Sequence, residues 1–415
     1  MRRVIATLLA LGATLAGAPP ATAYTEAGLK TRIAREMRKA PATSGVYVRD
    51  IDSGEELFAL RENVARIPAS VEKLFTTSSA LLRLGPSATL QTNAVTAPGA
   101  IVEPDGVLRG DLVLVGGGDP FFGDETAAQL ARAVVAAGVR RIEGAVVGDE
   151  SAFDARRAGC CTGYDYDLGG VLSALAYDRG IFHGRERLDA SRFAAVRFAA
   201  RLRTAGVTIT GTSRSGAAPA DARTLAFVAS MPVGELARYI NVPSNNFAAE
   251  MLVKELGSRY RDAGTTAAGA DVVRDTLDDF GVRPRVVDGS GLSRRNRATP
   301  REVVRLLERM NNQDVARSFR ASLAVAGATG TVKRRMRRTP AAGRCQVKTG
   351  TLNGVSALAG YCRAAAGRDI GFALMFNRAN TFTAKAREDR IAAAIARLST
   401  PPDAPPEAGG AIPLP

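Results

Sequence analysis

The stretch "CQVKTGTLNGVSALAGYC", residues 345–362, decides how this chain folds. Two apolar runs flank Asn353-Gly354, the strongest short signal for a two-residue hairpin. Pairing Leu352 with Val355 across that turn sets the register of everything behind it. Cys345 then falls opposite Cys362, at a non-hydrogen-bonded position where the strands' Cα atoms approach closest. That geometry suits a disulfide, and a Cys345–Cys362 bridge is expected. The first strand of the hairpin carries Lys348, Thr349, Gly350 and Thr351. The next apolar run, "IGFALMFNRA" (370–379), supplies a further strand beside the hairpin.

Working outward, "RIPASVEKLFTTSSALLRLG" (66–85) is the stretch that faces such a sheet. Leu74, Phe75, Leu81 and Leu82 keep helical spacing, and Pro68 suits the start of a helix. Ser70 and Lys73 then stand one turn apart on one face, close enough to bring an amine to a hydroxyl. A serine three residues before a lysine arises by chance about once in a chain this long, so the pair carries weight only with company. "VPSNNFAAE" (242–250) holds Ser244, Asn245 and Asn246, and by itself reads equally as a capping serine before a helix over 247–256. Helix-borne Ser70 is placed against the edge strand that carries Lys348.

Between these signals the texture changes. "SGVYVRDIDSGEELFALRENV" (44–64) reads as two strands around a turn at 50–54. From Thr89 short apolar runs alternate with turns and with one helical segment, "ETAAQLARAVVAAGV" (125–139), a small mixed unit that continues to about Ala226. A second helical stretch follows over 230–256. Thr299, Pro300 and Glu302 open a later helix with a cap, a first-turn proline and an acidic residue. The expected organisation is 1–23 signal segment, 24–88 first part of the main domain, 89–226 inserted domain, 227–396 second part, and 397–415 a tail dominated by proline and glycine.

Composition narrows the function. Val4 to Leu15 is apolar behind Arg2 and Arg3, and Ala21-Thr22-Ala23 offers a cleavage site, so secretion with maturation near Tyr24 is expected. Periplasm, wall space and medium fit equally. The single histidine, His183, rules out a multi-histidine metal site and is expected at a loop edge rather than in a Ser-His-Asp mechanism. Cys160 and Cys161 are left to each other once Cys345 and Cys362 pair, one of three connectivities that four cysteines allow. The 56 Lys and Arg exceed 41 acidic residues, for a net charge of +15. That favours polyanions. No zinc-finger spacing, long basic helix or aromatic-interleaved basic strand points to nucleic acid. Outside the cell, anionic envelope polymers are the expected attractants.

Ser70-x-x-Lys73, Ser244-Asn245-Asn246 and Lys348-Thr349-Gly350 stand in the order found in serine penicillin-binding proteins and β-lactamases. "GDLVLVGGGDP" (110–120), "RRIEGAVVGDESAFD" (140–154), "DGSGLSRRNRATP" (288–300) and "VKTGTLNGVSALAGY" (347–361) extend the likeness over 45–377. The chain resembles the D-alanyl-D-alanine carboxypeptidase/endopeptidase family, peptidase S13, the class C low-molecular-mass penicillin-binding proteins. The resemblance implies an α+β fold: a β-lactamase/transpeptidase-like domain, with a five-stranded antiparallel sheet and helices, split by an inserted smaller mixed strand-and-helix domain. It implies a Ser70 nucleophile, Lys73 as its base, Ser244 as a proton relay and Asn246 as a holder of Lys73 and the substrate amide. Lys348 and Thr349 would receive the substrate's carboxylate, Gly350 would leave room along the strand, and the Ser70 and Thr351 amides would form the oxyanion hole. A Lys348 cation and partial burial would keep Lys73 neutral. The implied partners are peptidoglycan stem peptides and, as covalent inhibitors, β-lactams; no metal or organic cofactor is called for. A secreted serine β-lactamase or esterase, or a non-catalytic wall-binding protein, would share parts of the same pattern.

Overall fold

The hairpin forms in the register expected. In the computed structural model, which describes residues 23–158 and 167–400, strands Cys345–Leu352 and Val355–Arg363 pair with Leu352 opposite Val355 and Cys345 opposite Cys362. The two cysteines are joined, with their Cα atoms 4.0 Å apart. Nearly all of the signal segment, the Cys160–Cys161 pair and most of the proline-rich tail lie outside the described residues.

The hairpin supplies the second and third strands of a six-stranded antiparallel sheet. Its order is Ala324–Val325, Cys345–Leu352, Val355–Arg363, Asp369–Asn377, Gly45–Asp50 and Glu56–Leu60. The outermost member is one strand more than the five expected, and two residues are too few to show a period in sequence. It pairs with Val347 and Gln346 only, so from Lys348 onward no strand pairs along that outer edge.

Both faces of this sheet are covered, which is why its strands read as near-continuous apolar runs. Successive side chains point to opposite faces. Val46, Val48, Leu358, Phe372 and Leu374 pack with Leu29, Ile33, Ile391 and Ile395 of the terminal helices Glu26–Arg38 and Thr381–Ile395. Tyr47, Ala357, Tyr361 and Met375 pack on the other side with Leu74, Phe75, Leu252, Val304 and Leu307. These last come from helices Lys73–Leu84, Asn246–Arg261 and Pro300–Asn311. The last opens as expected: Thr299 Oγ1 accepts from the Glu302 amide at 3.0 Å, and Glu302 Oε2 accepts from the Thr299 amide at 2.8 Å.

The chain between helix Lys73–Leu84 and helix Val233–Asn241 builds sheets of its own. Five strands run in the order Arg214–Ser215, Val146–Asp149, Leu112–Val115, Gln91–Thr96 and Arg223–Ala229. Leu112–Val115 and Val146–Asp149 are parallel and are linked through helix Asp124–Ala136, which with helix Ala190–Thr204 covers one face. The protein is therefore an α+β molecule whose main domain is interrupted by a smaller strand-and-helix unit. The helical stretch 230–256 consists of two helices, Val233–Asn241 and Asn246–Arg261. Pro243 and the left-handed Ser244 (φ 64°) break it.

Candidate active site

Ser70 does not lie in the α-helix. Ala69–Glu72 is a 3₁₀ turn, and Lys73 is the first residue of helix Lys73–Leu84. In a 3₁₀ turn residues i and i+3 eclipse, and Lys73 Nζ stands 3.0 Å from Ser70 Oγ. The turn begins at Ala69 with φ 47°, a left-handed backbone that costs an alanine about 1 kcal/mol. Two glycines close neighbouring chain onto it. A Cβ on Gly350 would sit 2.5 Å from the Pro68 carbonyl oxygen, and one on Gly291 only 2.1 Å from that of Ala69. The Lys348 strand and the loop over 288–293 can therefore reach the serine turn only because those positions lack side chains.

Lys73 is fully buried and has three acceptors: Ser70 Oγ, Asn246 Oδ1 at 2.6 Å, and the Ser290 carbonyl. Burial lowers its pKa from 10.5 to about 8, while the carboxyl groups of Asp288, Glu250 and Glu72 oppose the fall. Lys348 is also fully buried. It donates to Ser244 Oγ at 2.9 Å and to the Thr349 carbonyl at 2.8 Å. Burial, then repulsion from Lys73, carries its pKa well below the usual lysine range. The expectation that a Lys348 cation depresses Lys73 is thus reversed. Burial acts on Lys73, and Lys348 bears the repulsion.

The remaining expected residues gather at the same place. Thr349 Oγ1 donates to Thr331 Oγ1 at 2.8 Å, and Gly350 lies against Ser70 with its Cβ direction 3.2 Å from the Ser70 nitrogen. Thr351 is exposed on the same strand. Asn246 Nδ2 donates to the carbonyl of Asp167, from the inserted segment, at 2.6 Å, so the donor expected for a substrate amide is held by the chain itself here. Asn245, not Ser244, caps helix Asn246–Arg261, with Oδ1 accepting from the Ala248 amide at 3.0 Å. That cap frees Ser244 to face Lys348. His183 lies elsewhere, exposed on a turn against the Phe182 ring.

Sequence reasoning missed the acidic floor of this site. Glu72, Glu250 and Asp288 are all buried around Lys73. No periodic signal marks Glu72, which sits among apolar neighbours in "SVEKLF". Asp288 belongs to a stretch quoted for its family likeness, with no role attached to it. Thr331 is likewise distant in sequence from the lysine triplet it touches.

An amine held on a serine hydroxyl, with a second buried lysine nearby on the hairpin strand, is chemically suited to serine acyl transfer. Residues 29–182 and 166–398 match the sequence profile of the D-Ala-D-Ala carboxypeptidase 3 (S13) family. A D-alanyl-D-alanine carboxypeptidase of an Actinomadura strain is 31% identical, over 95% of this chain and 90% of that protein. The chain belongs to the S13 family. A carboxypeptidase of Mycobacterium tuberculosis is 30% identical over 80% of this chain and 76% of its own. Among solved structures, penicillin-binding protein 4 of Haemophilus influenzae shares the fold with a TM-score of 0.75 at 20% identity, covering 86% of this chain and 97% of that one. A predatory endopeptidase of Bdellovibrio bacteriovorus shares it more loosely, at 0.55 and 20%, covering 84% and 90%. S13 membership makes this chain a serine hydrolase of the carboxypeptidase and penicillin-binding class.

Proposed function

We propose that the protein is a secreted serine-type D-alanyl-D-alanine carboxypeptidase acting on peptidoglycan stem peptides through an acyl-enzyme at Ser70. The observation that carries the reading is the 3.0 Å contact between Ser70 Oγ and the buried Lys73 amine. A serine hydroxyl is a weak nucleophile until a base takes its proton. Neutral Lys73 takes it as Ser70 attacks the carbonyl between the two terminal D-alanines. The backbone amides of Ser70 and Thr351 stabilise the oxyanion. Ser244, held on Lys348 at 2.9 Å, relays to the departing D-alanine amine the proton that Lys73 took from Ser70, so Lys73 is neutral again once the C–N bond has broken. Lys348 and Thr349 receive the terminal carboxylate, whose charge restores the Lys348 proton that burial disfavours. Water then releases the acyl group. A β-lactam mimics the same bond and leaves Ser70 acylated. Secretion rests on the apolar segment behind Arg2 and Arg3 and its Ala-x-Ala site.

Release of D-alanine from a stem pentapeptide, compared with a Ser70→Ala variant, tests this reading. Release by the wild-type protein alone is expected. No release, with penicillin hydrolysed rapidly instead, would favour the β-lactamase reading. Two Bdellovibrio bacteriovorus proteins that share the fold are predatory endopeptidases, so cross-linked dimers belong in the same assay, and cleavage of those alone would overturn the carboxypeptidase assignment.

A further inference from the structure

Of the three carboxyl groups under Lys73, Asp288 is taken up by its own loop. Its Oδ1 accepts from the Gly291 amide at 2.8 Å and from Asn296 Nδ2 at 2.6 Å, and its Oδ2 accepts from the Ser293 amide at 2.6 Å. Glu250 does something else. It lies four residues after Asn246 on helix Asn246–Arg261, hence on the same face. Its Oε1 accepts from two consecutive amides, Gly289 at 3.0 Å and Ser290 at 2.8 Å. The carbonyl of that same Ser290 accepts from Lys73. Thr76, on the helix that begins at Lys73, donates to the Gly289 carbonyl at 2.9 Å and pins the loop from the other side. One helix thus grips the Lys73 amine twice, directly by Asn246 and through a peptide by Glu250.

We propose that Glu250 is a positioning residue for Lys73, its Oε1 fixing the Gly289–Ser290 peptide so that the Ser290 carbonyl meets the Lys73 amine and aims it at Ser70. The proposal rests on the reading of Ser70 and Lys73 as nucleophile and base. Glu250 can do this in either protonation state, since Oε1 accepts from both amides whether or not Oε2 carries a proton. Its Oε2 and both oxygens of Glu72 are buried without a hydrogen-bond partner, a setting that penalises a carboxylate more than a carboxylic acid. Burial and the charge of Asp288 accordingly push the Glu250 carboxyl up to about 7. The ionisable groups that face Glu250 are Lys73 and Glu72 from the serine turn, Asp288 from the loop, and Lys254 one turn along its own helix.

The test is the single-turnover reaction with a penicillin, resolved into non-covalent binding and acylation. Glu250→Ala removes the acceptor of both amides. It should slow acylation by at least about tenfold, a part of the 10²–10⁴ that a positioned base supplies, and leave non-covalent binding unchanged. Glu250→Gln keeps a carbonyl oxygen there and should acylate within about threefold of wild type. Its acid limb should move to lower pH, because a carboxyl that ionises near 7 no longer holds the Lys73 proton. Acylation by Glu250→Ala at the wild-type rate, or a Gln variant as slow as Ala, would overturn the proposal. If Glu250→Ala does not fold, the shift of the acid limb in Glu250→Gln carries the test, and an unmoved limb overturns it. If the wild-type protein is not acylated at all, the functional reading fails instead. Positioning is then judged by crystal structures of wild type and Glu250→Ala: loss of the Lys73–Ser290 contact in the variant supports it, and an unchanged contact refutes it.

Discussion

Lowering the pH from 9 to 6 should slow acylation of Ser70 about ninetyfold, because the neutral fraction of a base with pKa near 8 falls from about 0.9 to about 0.01. The base must be neutral to act, so the rate rises with pH, about tenfold per unit below 7, and levels off above 9. A lysine left at 10.5 would instead climb through the whole range with no plateau, and at pH 7 only about 0.03% of it would be neutral. The assay is stopped-flow acylation by a chromogenic or fluorescent penicillin at saturating concentration, from pH 5.5 to 9.5. A rate still climbing at pH 9.5 would refute the burial argument, and a rate flat between 6 and 8 would refute Lys73 as the base. The same shift has a cost in stability. The folded pKa lies below the unfolded one, so the unfolded chain binds more protons between about 8 and 10.5, and stability rises with pH across that window by about 3 kcal/mol.

Further outcomes follow from the packing and the buried acids. Gly350→Ala places a Cβ 2.5 Å from the Pro68 carbonyl oxygen, which is backbone and cannot turn aside. It should cost about 1–3 kcal/mol of stability and displace Ser70 enough to slow penicillin acylation at least about tenfold, as checked by denaturation and labelling; normal labelling would contradict this. Replacing Cys345 and Cys362 with alanine opens a link of sequence separation 17 and should cost about 3 kcal/mol in urea unfolding; an unchanged midpoint would contradict this. Glu72 is raised well above the usual glutamate range by burial and by Asp288, so the folded state holds a proton that the unfolded state has lost at neutral pH. That proton costs stability as pH rises from 4.5, and Glu72→Gln should therefore be more stable than wild type at pH 7 and no more stable at pH 4. An equal gain at both values would refute the assigned protonation state.

The hairpin was legible because turn chemistry and strand alternation are local, and the Cys345–Cys362 pairing follows from them by counting. The residues around Ser70 were legible as three short patterns whose order, not their individual strength, carried the meaning. Other features were hidden for physical reasons. The 3₁₀ geometry at Ser70 depends on Gly291 and Gly350 letting distant segments press on the turn. The break at Ser244 required knowing that Asn245 makes the cap. The edge strand Ala324–Val325 has no residues in excess of its two pairings from which to read a period. Buried Glu72 and Glu250 look in sequence like ordinary helix formers. Glu72 adjoins Lys73 in sequence, but only the packing of helix Asn246–Arg261 against the serine turn brings Glu250 beside it.

The central claim is that Ser70 is the acylating nucleophile. It is tested most directly by intact-protein mass spectrometry after brief exposure to a penicillin, followed by peptide mapping, with Ser70→Ala as control. The account predicts an adduct of the drug's full mass on the peptide bearing Ser70, absent from the variant. Unmodified protein with unhydrolysed drug, or an adduct that survives in Ser70→Ala, would contradict it.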